Sequence, residues 1–371
     1  MKNVILLEPL LAHYRRDVFD KLVNNRELNI SIVAGSGFNG IKSLSDPRYK
    51  TFEFLSFKLA GHEFYYLKGA VRFILSKKPD AIICTGVDFH QLHTIILFFI
   101  QRLIKGKKFF WWSHATLGNQ GAFGKWVRKV IYKNSTGIMA YSENGKNTLI
   151  REGINAHSIC VVNNSLNSSD YGFLTGVVNK TAYTEPLNLI FCGRITKSKK
   201  LDLLIKALSK INQQKLTEFY CEIVGAGDAE SLVADVKQNR LENKIIFTGE
   251  LYDSELSQHL LRSDLMVYPG GIGLSIVQSL SYGIPVITTD KEELHGPEIE
   301  LLDPGKNGDL YKDGSVEDLA EKIMQWKLKL LKSRNEIATA CIQSVNAKGY
   351  LPEVVSQNAI HFLVQKLNSN Q

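Results

Sequence analysis

The chain has 371 residues, a hydrophobic fraction of 44% and a net charge of +8, so it is long enough to build two domains with sizeable cores. Its five cysteines, an odd number without metal-ligand spacing, favour buried free thiols in a reducing compartment over a disulfide framework. The N-terminal apolar run contains Glu8 and no signal-peptide cleavage site follows it, and the run 94–100 is far shorter than the roughly 20 residues of a transmembrane helix.

Short apolar strands alternate with amphipathic helices in the first half of the chain, which is typical of α/β proteins with parallel sheets. We predict helices that include 15–23 and 89–104, and a polar stretch at 164–185 that contains the interdomain linker, 171–185. The predicted strands are VILLEPL, NISIVAG, AIICTGV, KKFFWWS, GIMAYS and SICVVNN.

A second series of the same kind follows, and helices are predicted from 316 to 371. Its strands are LNLIFCGRI, EFYCEIVGAG, KIIFTGE, LMVYPG and PVITTD. The sequence therefore predicts two Rossmann-like units in tandem, at residues 1–170 and 186–345.

A glycine-rich turn, YPGGIGLSIVQS, joins the strand that ends near Tyr268 to a predicted helix. Glycines at such a join allow close backbone approach, and the helix start presents N–H groups and the positive end of its dipole to an anion. The first two helical turns contain no carboxylate. The turn is a candidate phosphate site, although many turns of this composition only connect two elements.

Two cations, Arg194 and Lys199, follow the first strand of the second series. The carboxyl end of a parallel strand is where open α/β sheets bind ligands. Arg and Lys at this position can clamp a diphosphate and stabilise its charge as a leaving group. The alternative is a solvated basic loop in front of the next helix.

The segments GRITKSKKLDLLIKAL, VGAGD, IIFTGELYDSEL and GIGLSIVQSLSYGIPVI, in this order, resemble the donor-binding domain of family 4 glycosyltransferases of the GT-B fold. NNSLN at the domain junction is similar to that family's Asn-Gly-Val-Asp-like turn. The resemblance covers most of residues 185–330. It implies two Rossmann-like domains facing across a cleft, with the C-terminal helix in 346–371 returning to the N-terminal domain.

The resemblance also implies roles for individual residues. Arg194 and Lys199 would hold the diphosphate of a nucleotide-sugar, and Gly225 would let the donor lie close to the sheet. His114 resembles a histidine that faces the donor sugar, although a lone histidine is more often structural. The remaining predicted donor contacts are the backbone N–H groups of Gly271, Ile272, Gly273 and Leu274 and, at the nucleobase, Glu250 and Leu251.

The chain departs from the family at the usual Glu-x7-Glu pair, whose positions are Gly270 and Gln278 here. Gln278 can still accept a hydrogen bond from a ribose, without charge assistance. Gly270 offers no substitute, so sugar recognition must differ. The sequence has no Asp-x-Asp or HExxH motif, and His90 with His93 lacks a further ligand, so we expect neither a metal nor another cofactor.

The first half is basic, with 24 Lys and Arg against 12 Asp and Glu in residues 1–180. Position suggests that some of His13, Tyr14, Arg15 and Arg16 line the acceptor side, with Arg15 or Arg16 meeting an acceptor phosphate; the alternative is an ordinary solvated helix start. Stretches such as 98–112 and 122–134 mix aromatic and basic side chains, which suits a surface for anionic lipid headgroups. Part of them must be core strand, and no nucleic-acid-binding module is present.

Together these features predict a cytoplasmic glycosyltransferase peripheral to the inner face of the cell membrane. It would move a sugar from a nucleotide-sugar to a saccharide acceptor on a lipid diphosphate, with retention of configuration, in O-antigen, lipopolysaccharide or capsule assembly. Two alternatives stay open: a nucleotide-sugar epimerase of the same fold, and a catalytically inactive donor-binding partner. A dehydrogenase is disfavoured because no G-x-G-x-x-G follows the first strand.

Overall fold

The computed structural model describes residues 1–36, 44, 46–59, 61–104, 106–115, 121–175 and 183–369. The chain forms two compact units, Met1–Asn167 with Leu351–Gln371 and Ser168–Tyr350. These limits fall within a few residues of the boundaries predicted at 170 and 345. Residues 176–182 of the predicted linker lie outside the described part of the chain.

The first unit is built on a parallel seven-stranded sheet with the order β3-β2-β1-β6-β7-β8-β9. Its strands, with two further ones that form a hairpin, are β1 (Lys2–Glu8), β2 (Leu28–Gly35), β3 (Lys50–Phe52), β4 (Phe54–Leu59), β5 (His62–Leu67), β6 (Ala81–Thr85), β7 (Lys108–Ser113), β8 (Gly137–Ala140) and β9 (Ile159–Val161). Both faces of this sheet are covered, so successive residues of a strand enter different cores. Val4 and Leu6 of β1 belong to one core, and Ile5 and Leu7 belong to the other.

Helices cover the two faces of this sheet. They are α1 (Arg16–Val23), α2 (Ala70–Ser76), α3 (Leu92–Leu103), α4 (Ala122–Lys133), α5 (Glu143–Arg151) and α11 (Pro352–Asn368). One face carries α1 and α11, and the other carries α2, α3, α4 and α5. The C-terminal helix α11 thus packs in the N-terminal unit, where Phe362 fills the space in front of Gly137.

The second unit has a parallel six-stranded sheet with the order β12-β11-β10-β13-β14-β15. Its strands are β10 (Leu187–Cys192), β11 (Phe219–Val224), β12 (Ile245–Gly249), β13 (Leu265–Tyr268), β14 (Val286–Thr289) and β15 (Gly308–Tyr311). Its helices are α6 (Leu201–Gln213), α7 (Glu230–Gln238), α8 (Asp253–Arg262), α9 (Ser275–Ser281) and α10 (Val316–Ala347). The order of both sheets is that of doubly wound Rossmann-like folds, so the predicted α/β class is confirmed.

Several elements differ from the prediction. The antiparallel hairpin of β4 and β5, the short edge strand β3 and the strand β15 were not predicted. The hairpin segment contains Lys58, Glu63 and exposed apolar residues, so it lacks the buried apolar run that marks a core strand. The helices predicted near the C-terminus are joined across Ser333, whose backbone (φ −144°, ψ 38°) leaves the helical region inside α10.

Candidate functional site

The candidate site of the second unit lies where the strand order reverses, between β10 and β13. Ligands of open α/β sheets bind at such a point, outside the carboxyl ends of the strands. Arg194 comes two residues after β10, and the glycine turn 269–274 comes directly after β13. Ser275 joins the two segments, since its hydroxyl donates to the Cys192 carbonyl at 2.9 Å. The structure therefore brings together the basic segment and the turn that the sequence singled out.

The carbonyl groups of the glycine turn are held by the protein. The donors to the carbonyls of residues 268 to 272 are Thr288 Oγ1 for Tyr268 and Gly270 (2.8 and 3.0 Å), Tyr311 Oη for Pro269 (2.7 Å), Lys199 Nζ for Gly271 (2.6 Å) and Gly296 N for Ile272 (2.8 Å). In a trans peptide the N–H of the next residue points away from the carbonyl. These bonds therefore orient the N–H groups of Gly271 and Gly273 away from Thr288 and Gly296, which donate to the preceding carbonyls.

The Ile272 amide is an exception among the four predicted cradle amides. Its N–H donates to His295 Nδ1 at 3.1 Å, and His295 Nε2 lies 2.9 Å from the Thr289 carbonyl. This pair of contacts requires the neutral tautomer with the proton on Nε2. Burial lowers the pKa of His295, which favours that neutral form. In this arrangement Ile272 braces the turn, so Gly271, Gly273 and Leu274 are the amides that we retain in the predicted cradle.

The two predicted cations occupy different environments. Arg194 is exposed and Lys199 is half-buried. Besides its bond to the Gly271 carbonyl, the Lys199 ammonium lies 4.9 Å from the centre of the Tyr268 ring. Burial lowers the pKa of Lys199, and the charge of Arg194 lowers it further. Lys199 thus fixes the turn and also adds positive charge at it, whereas Arg194 stays open to solvent.

Gly270, at the first position of the missing carboxylate pair, is required by packing. A Cβ built on it would lie 2.1 Å from the Ser198 carbonyl oxygen and 2.7 Å from Lys199 Cα. A glutamate therefore does not fit at this position unless the loop of Lys197–Lys199 moves. The loop that carries Lys199 thus occupies the space into which the side chain of the family's first Glu would extend.

The remaining predicted donor residues lie on the same edge of the sheet. Gly225 follows β11 with φ +146°, and a Cβ there would lie 1.9 Å from the Gly193 carbonyl oxygen. Glu250 is exposed and Leu251 half-buried just after β12, and Gln278 is half-buried in α9. The carboxyl ends of four adjacent strands, β12, β11, β10 and β13, thus carry all of these residues.

In the first unit, His114 follows β7 and is exposed. Its ring packs beside Tyr141, with 4.9 Å between the ring centroids and an interplanar angle of 49°. It therefore lies at the carboxyl edge of its sheet, as predicted for a residue that meets substrate. Its role in transfer stays a prediction.

Arg15 corrects the predicted acceptor surface. Its side chain is 6% exposed and donates to Glu8 Oε1 at 2.9 Å, while Glu8 Oε2 accepts from the Thr85 hydroxyl at 2.9 Å. Its guanidinium also lies 4.9 Å from the centre of the Trp112 ring. The paired carboxylate raises the pKa of Arg15 although burial opposes that shift. Arg15 is an internal ion-pair partner, so of the two arginines predicted to meet an acceptor phosphate only Arg16 stays a candidate.

The neighbours of Arg15 are more accessible. Arg16 is exposed at the start of α1, and His13 and Tyr14 are half-buried. Asn167, from the predicted junction turn, ties this segment down, because its amide donates to the His13 carbonyl at 3.0 Å and its oxygen accepts the Asp17 N–H at 3.2 Å. We retain His13, Tyr14 and Arg16 as predicted acceptor residues.

Several residues that build the turn were missed in the sequence. Thr288, Tyr311 and His295 each hold a group of the glycine turn, and Glu298 lies buried behind it, 3% exposed. Thr288 and Tyr311 lie on strands whose pattern indicates only a buried sheet. Their partners are 18 to 42 residues away in the sequence, so no local motif could have identified them.

The described residues form neither a metal-binding cluster nor a membrane-spanning helix. Within the described ranges no three His, Cys, Asp or Glu side chains cluster closely enough to bind a metal ion. The helices of that same part of the chain include none with the length and hydropathy needed to span a membrane. The five cysteines are free, and Cys84, Cys221 and Cys341 are buried.

Most of the second unit matches a protein-family model. The model of glycosyl transferases group 1 matches residues 178–343. An uncharacterized glycosyltransferase of Methanocaldococcus jannaschii is 25% identical over 236 residues, which cover 62% of this chain and 57% of the relative. The lipopolysaccharide 1,6-galactosyltransferase of Salmonella typhimurium is 25% identical over 256 residues, which cover 65% and 63%. The chain thus spans about three fifths of the length of these two relatives.

Solved structures show the same fold over both units. Anabaena HepE in complex with UDP superposes with a TM-score of 0.70 at 18% identity, covering 98% of this chain and 100% of HepE. At that identity the likeness establishes the fold alone, and the neighbours share the GT-B fold class expected from the sequence. The residues that match the model of glycosyl transferases group 1, 178–343, contain the glycine turn and both cations.

Proposed function

We propose that the protein is a glycosyltransferase that binds a nucleotide-sugar at the carboxyl edge of the second sheet. The observation that carries the proposal is the geometry of residues 269–274 with Arg194 and Lys199 beside them, within a group 1 glycosyltransferase domain. The turn offers N–H groups to an anion, and two cations adjoin it. Support for the ligand comes from HepE, which has been solved with UDP and with UDP-glucose.

The proposed chemistry follows from charge. When a sugar leaves a nucleoside diphosphate, negative charge grows on the leaving phosphate oxygens, and prearranged N–H groups and cations stabilise that charge. Arg194 is positioned to pair with a phosphate, and Lys199 holds the amides in place while adding its own charge. We propose that the transfer retains configuration, with His114 at the donor sugar and no metal or other cofactor required.

The proposed acceptor is a saccharide on a lipid diphosphate, in lipopolysaccharide, O-antigen or capsule assembly. The relatives support the polysaccharide setting, since one is the Salmonella galactosyltransferase and another is a putative colanic acid biosynthesis glycosyltransferase of Escherichia coli. We place the protein in the cytoplasm, peripheral to the inner face of the membrane, and not bound to nucleic acid. The basic N-terminal half supports the membrane contact.

Gly270 supports a mode of donor-sugar recognition that differs from the family's usual one. Glycine replaces the family's first carboxylate here, and the Ser198 carbonyl lies where a side chain at this position would begin. The group that contacts the sugar must therefore come from elsewhere, which leaves the identity of the sugar open. The same observation supports a second candidate, a donor-binding partner without turnover.

A thermal-shift screen across nucleotide-sugars tests the proposal, since a ligand that binds only the folded state raises its apparent stability. We expect one nucleotide class to raise the melting temperature and Arg194→Ala to lose most of that shift. Product analysis with the donor alone and with an added acceptor then separates the alternatives. Conversion without acceptor would indicate an epimerase, and binding without conversion would indicate the inactive partner.

A further inference from the structure

A basic cavity lies in the first unit at the edge of the sheet opposite to the strand ends described above. It has a volume of about 430 Å³ and lies where β7 begins and where α3, α4 and α11 end. The cationic side chains that line it are Arg102, Lys107, Lys108, Lys133 and Lys366. Lys107 pairs with Asp80 at 3.5 Å, and no carboxylate is among the described residues that line the cavity itself. The cavity therefore carries a large positive excess.

A buried hydrogen-bond donor lies beside this cavity. Gln101 is 2% exposed and lines an adjoining cavity of about 160 Å³ that shares Arg102, Lys107 and Thr136 with the first. Its Nε2 atom is buried and has no hydrogen-bond partner among the described residues. A buried amide without a partner is costly, so an acceptor that reached Nε2 would lower that cost. An anion with several oxygens, such as a phosphate group, fits the charge of the basic cavity itself.

Two stripes of exposed apolar side chains run toward the cavity. Each stripe has the spacing i, i+3, i+7 of one helix face. They are Ile96, Phe99 and Leu103 of α3 and Phe123, Trp126 and Val130 of α4, with exposed fractions from 38% to 87%. The rings of Phe123 and Trp126 stack, with 6.0 Å between their centroids.

The two helices present these stripes in one direction. Both pack on the same face of the sheet, because Leu97 of α3 and Ile131 of α4 enter the same core. Arg102 at the end of α3 also donates to Asn134 at the end of α4, at 3.2 Å. Large apolar patches rimmed by charge mark interaction sites, and exposed apolar and aromatic side chains with Lys and Arg beside them suit an anionic bilayer.

We propose that α3 and α4 lie on an anionic bilayer and that the basic cavity binds the phosphate of a lipid headgroup. The apolar stripes enter the boundary between headgroups and acyl chains, Trp126 lies at the interface, and Arg102 and Lys133 meet the phosphate. This inference rests on the membrane association proposed above and assigns its residues. It is independent of the donor site, which lies in the other unit of the chain.

Vesicle flotation tests the inference with the full chain. Vesicles of phosphatidylcholine containing phosphatidylglycerol should bind the wild-type protein far better than phosphatidylcholine alone. The variant R102Q/K133Q should weaken binding to the anionic vesicles about 25-fold, since each cation near the surface contributes about fivefold. Trp126→Ser should weaken it about tenfold. The matched controls are K237Q/K332Q, which removes two exposed cations from the other unit, and Leu328→Ser, which removes an exposed leucine there.

Further measurements distinguish phosphate binding from general attraction to negative charge. Vesicles of equal zeta potential in which oleate replaces phosphatidylglycerol should bind the wild type less tightly, because oleate has no phosphate. Equal binding of the two, or losses by the controls that match those of the test variants, would overturn the inference. Thermal unfolding and nucleotide-sugar binding should be unchanged in R102Q/K133Q and W126S. If the wild type binds no nucleotide-sugar, the transferase proposal fails while the vesicle result still stands.

Discussion

The two sheets share one strand order, but the points where that order reverses are built in opposite ways. In the first unit, between β1 and β6, Glu8, Arg15 and Thr85 fill the point with an internal ion pair and a hydroxyl contact. In the second unit, between β10 and β13, a glycine turn and half-exposed or exposed cations leave it open. The first reversal point thus holds a buried ion pair, whereas the cations at the second reach solvent in part or in full.

This difference shows that topology provides a place for a ligand and that the residues decide whether it is used. A buried ion pair needs both of its partners, so Arg15 is committed to Glu8 and leaves Arg16 as the exposed cation of this segment. At the second edge Thr288 and the Gly296 N–H hold the carbonyls of Gly270 and Ile272, and the N–H groups that follow them, those of Gly271 and Gly273, are the ones we propose for a ligand. The anion chemistry of the molecule is therefore expected in the second unit.

The largest effect is expected at the filled edge. Arg15→Met leaves the Glu8 carboxylate buried without its partner, and we expect a loss of about 3–5 kcal/mol in the free energy of unfolding. Chemical denaturation measures it. The double variant E8Q/R15M removes both charges and should recover most of that loss. A single variant as stable as the wild type would show that the pair does not hold this edge.

A smaller loss of stability is expected when a side chain is introduced at Gly270, in the turn of the second sheet. Gly270→Ala places a methyl group against the Ser198 carbonyl and should cost about 1–3 kcal/mol of stability, because the loop must shift. It should also weaken nucleotide binding. Gly121→Ala is the control, since a Cβ there meets nothing within 4 Å among the described residues. Equal stability of the two variants would contradict the tight packing of the loop on the turn.

Lys199→Ala tests the charge of the open edge. A hydrogen bond to a charged group contributes about 1.5–3 kcal/mol, so we expect the affinity for a nucleotide-sugar to fall about 10- to 100-fold. Isothermal titration measures it. Lys197→Ala, which removes an exposed cation from the same loop, is the matched control and should change the affinity little. Similar losses in both variants would mean that only general charge matters.

The smallest effect concerns pH. The pKa of His295 is lowered in the folded chain by burial, so the unfolded chain takes up this proton at a higher pH than the folded chain does. The stabilisation is complete above about pH 6.5, the ordinary histidine value, and declines as the pH falls below it. His295→Gln removes the titrating group, so its unfolding free energy should fall less than that of the wild type between pH 7.5 and 5.5. Parallel curves would exclude His295 as the cause.

The strands and the glycine turn could be predicted from the sequence because local residue patterns determine them. Apolar runs identified most strands of both sheets, and glycines beside a strand identified the turn 269–274 together with the cations of the preceding loop. The hairpin of β4 and β5 was missed because its side chains are mostly exposed.

Long-range contacts explain the errors at the sites. A basic residue at a helix start is usually solvated, and Arg15 is buried only because Glu8 and Trp112, from two separate strands, surround it. His295 braces Ile272 from a loop 23 residues later, and no spacing in the sequence indicates that contact. Which amides are free and which cations are paired are properties of the folded packing.

The central claim is that the open edge of the second sheet binds a diphosphate. Isothermal titration of the wild-type protein with each nucleoside diphosphate and with the matching nucleoside tests it most directly. We predict that one diphosphate binds at least about tenfold more tightly than its nucleoside and that Lys199→Ala removes most of the difference. Equal affinities for diphosphate and nucleoside, with or without Lys199, would contradict the account.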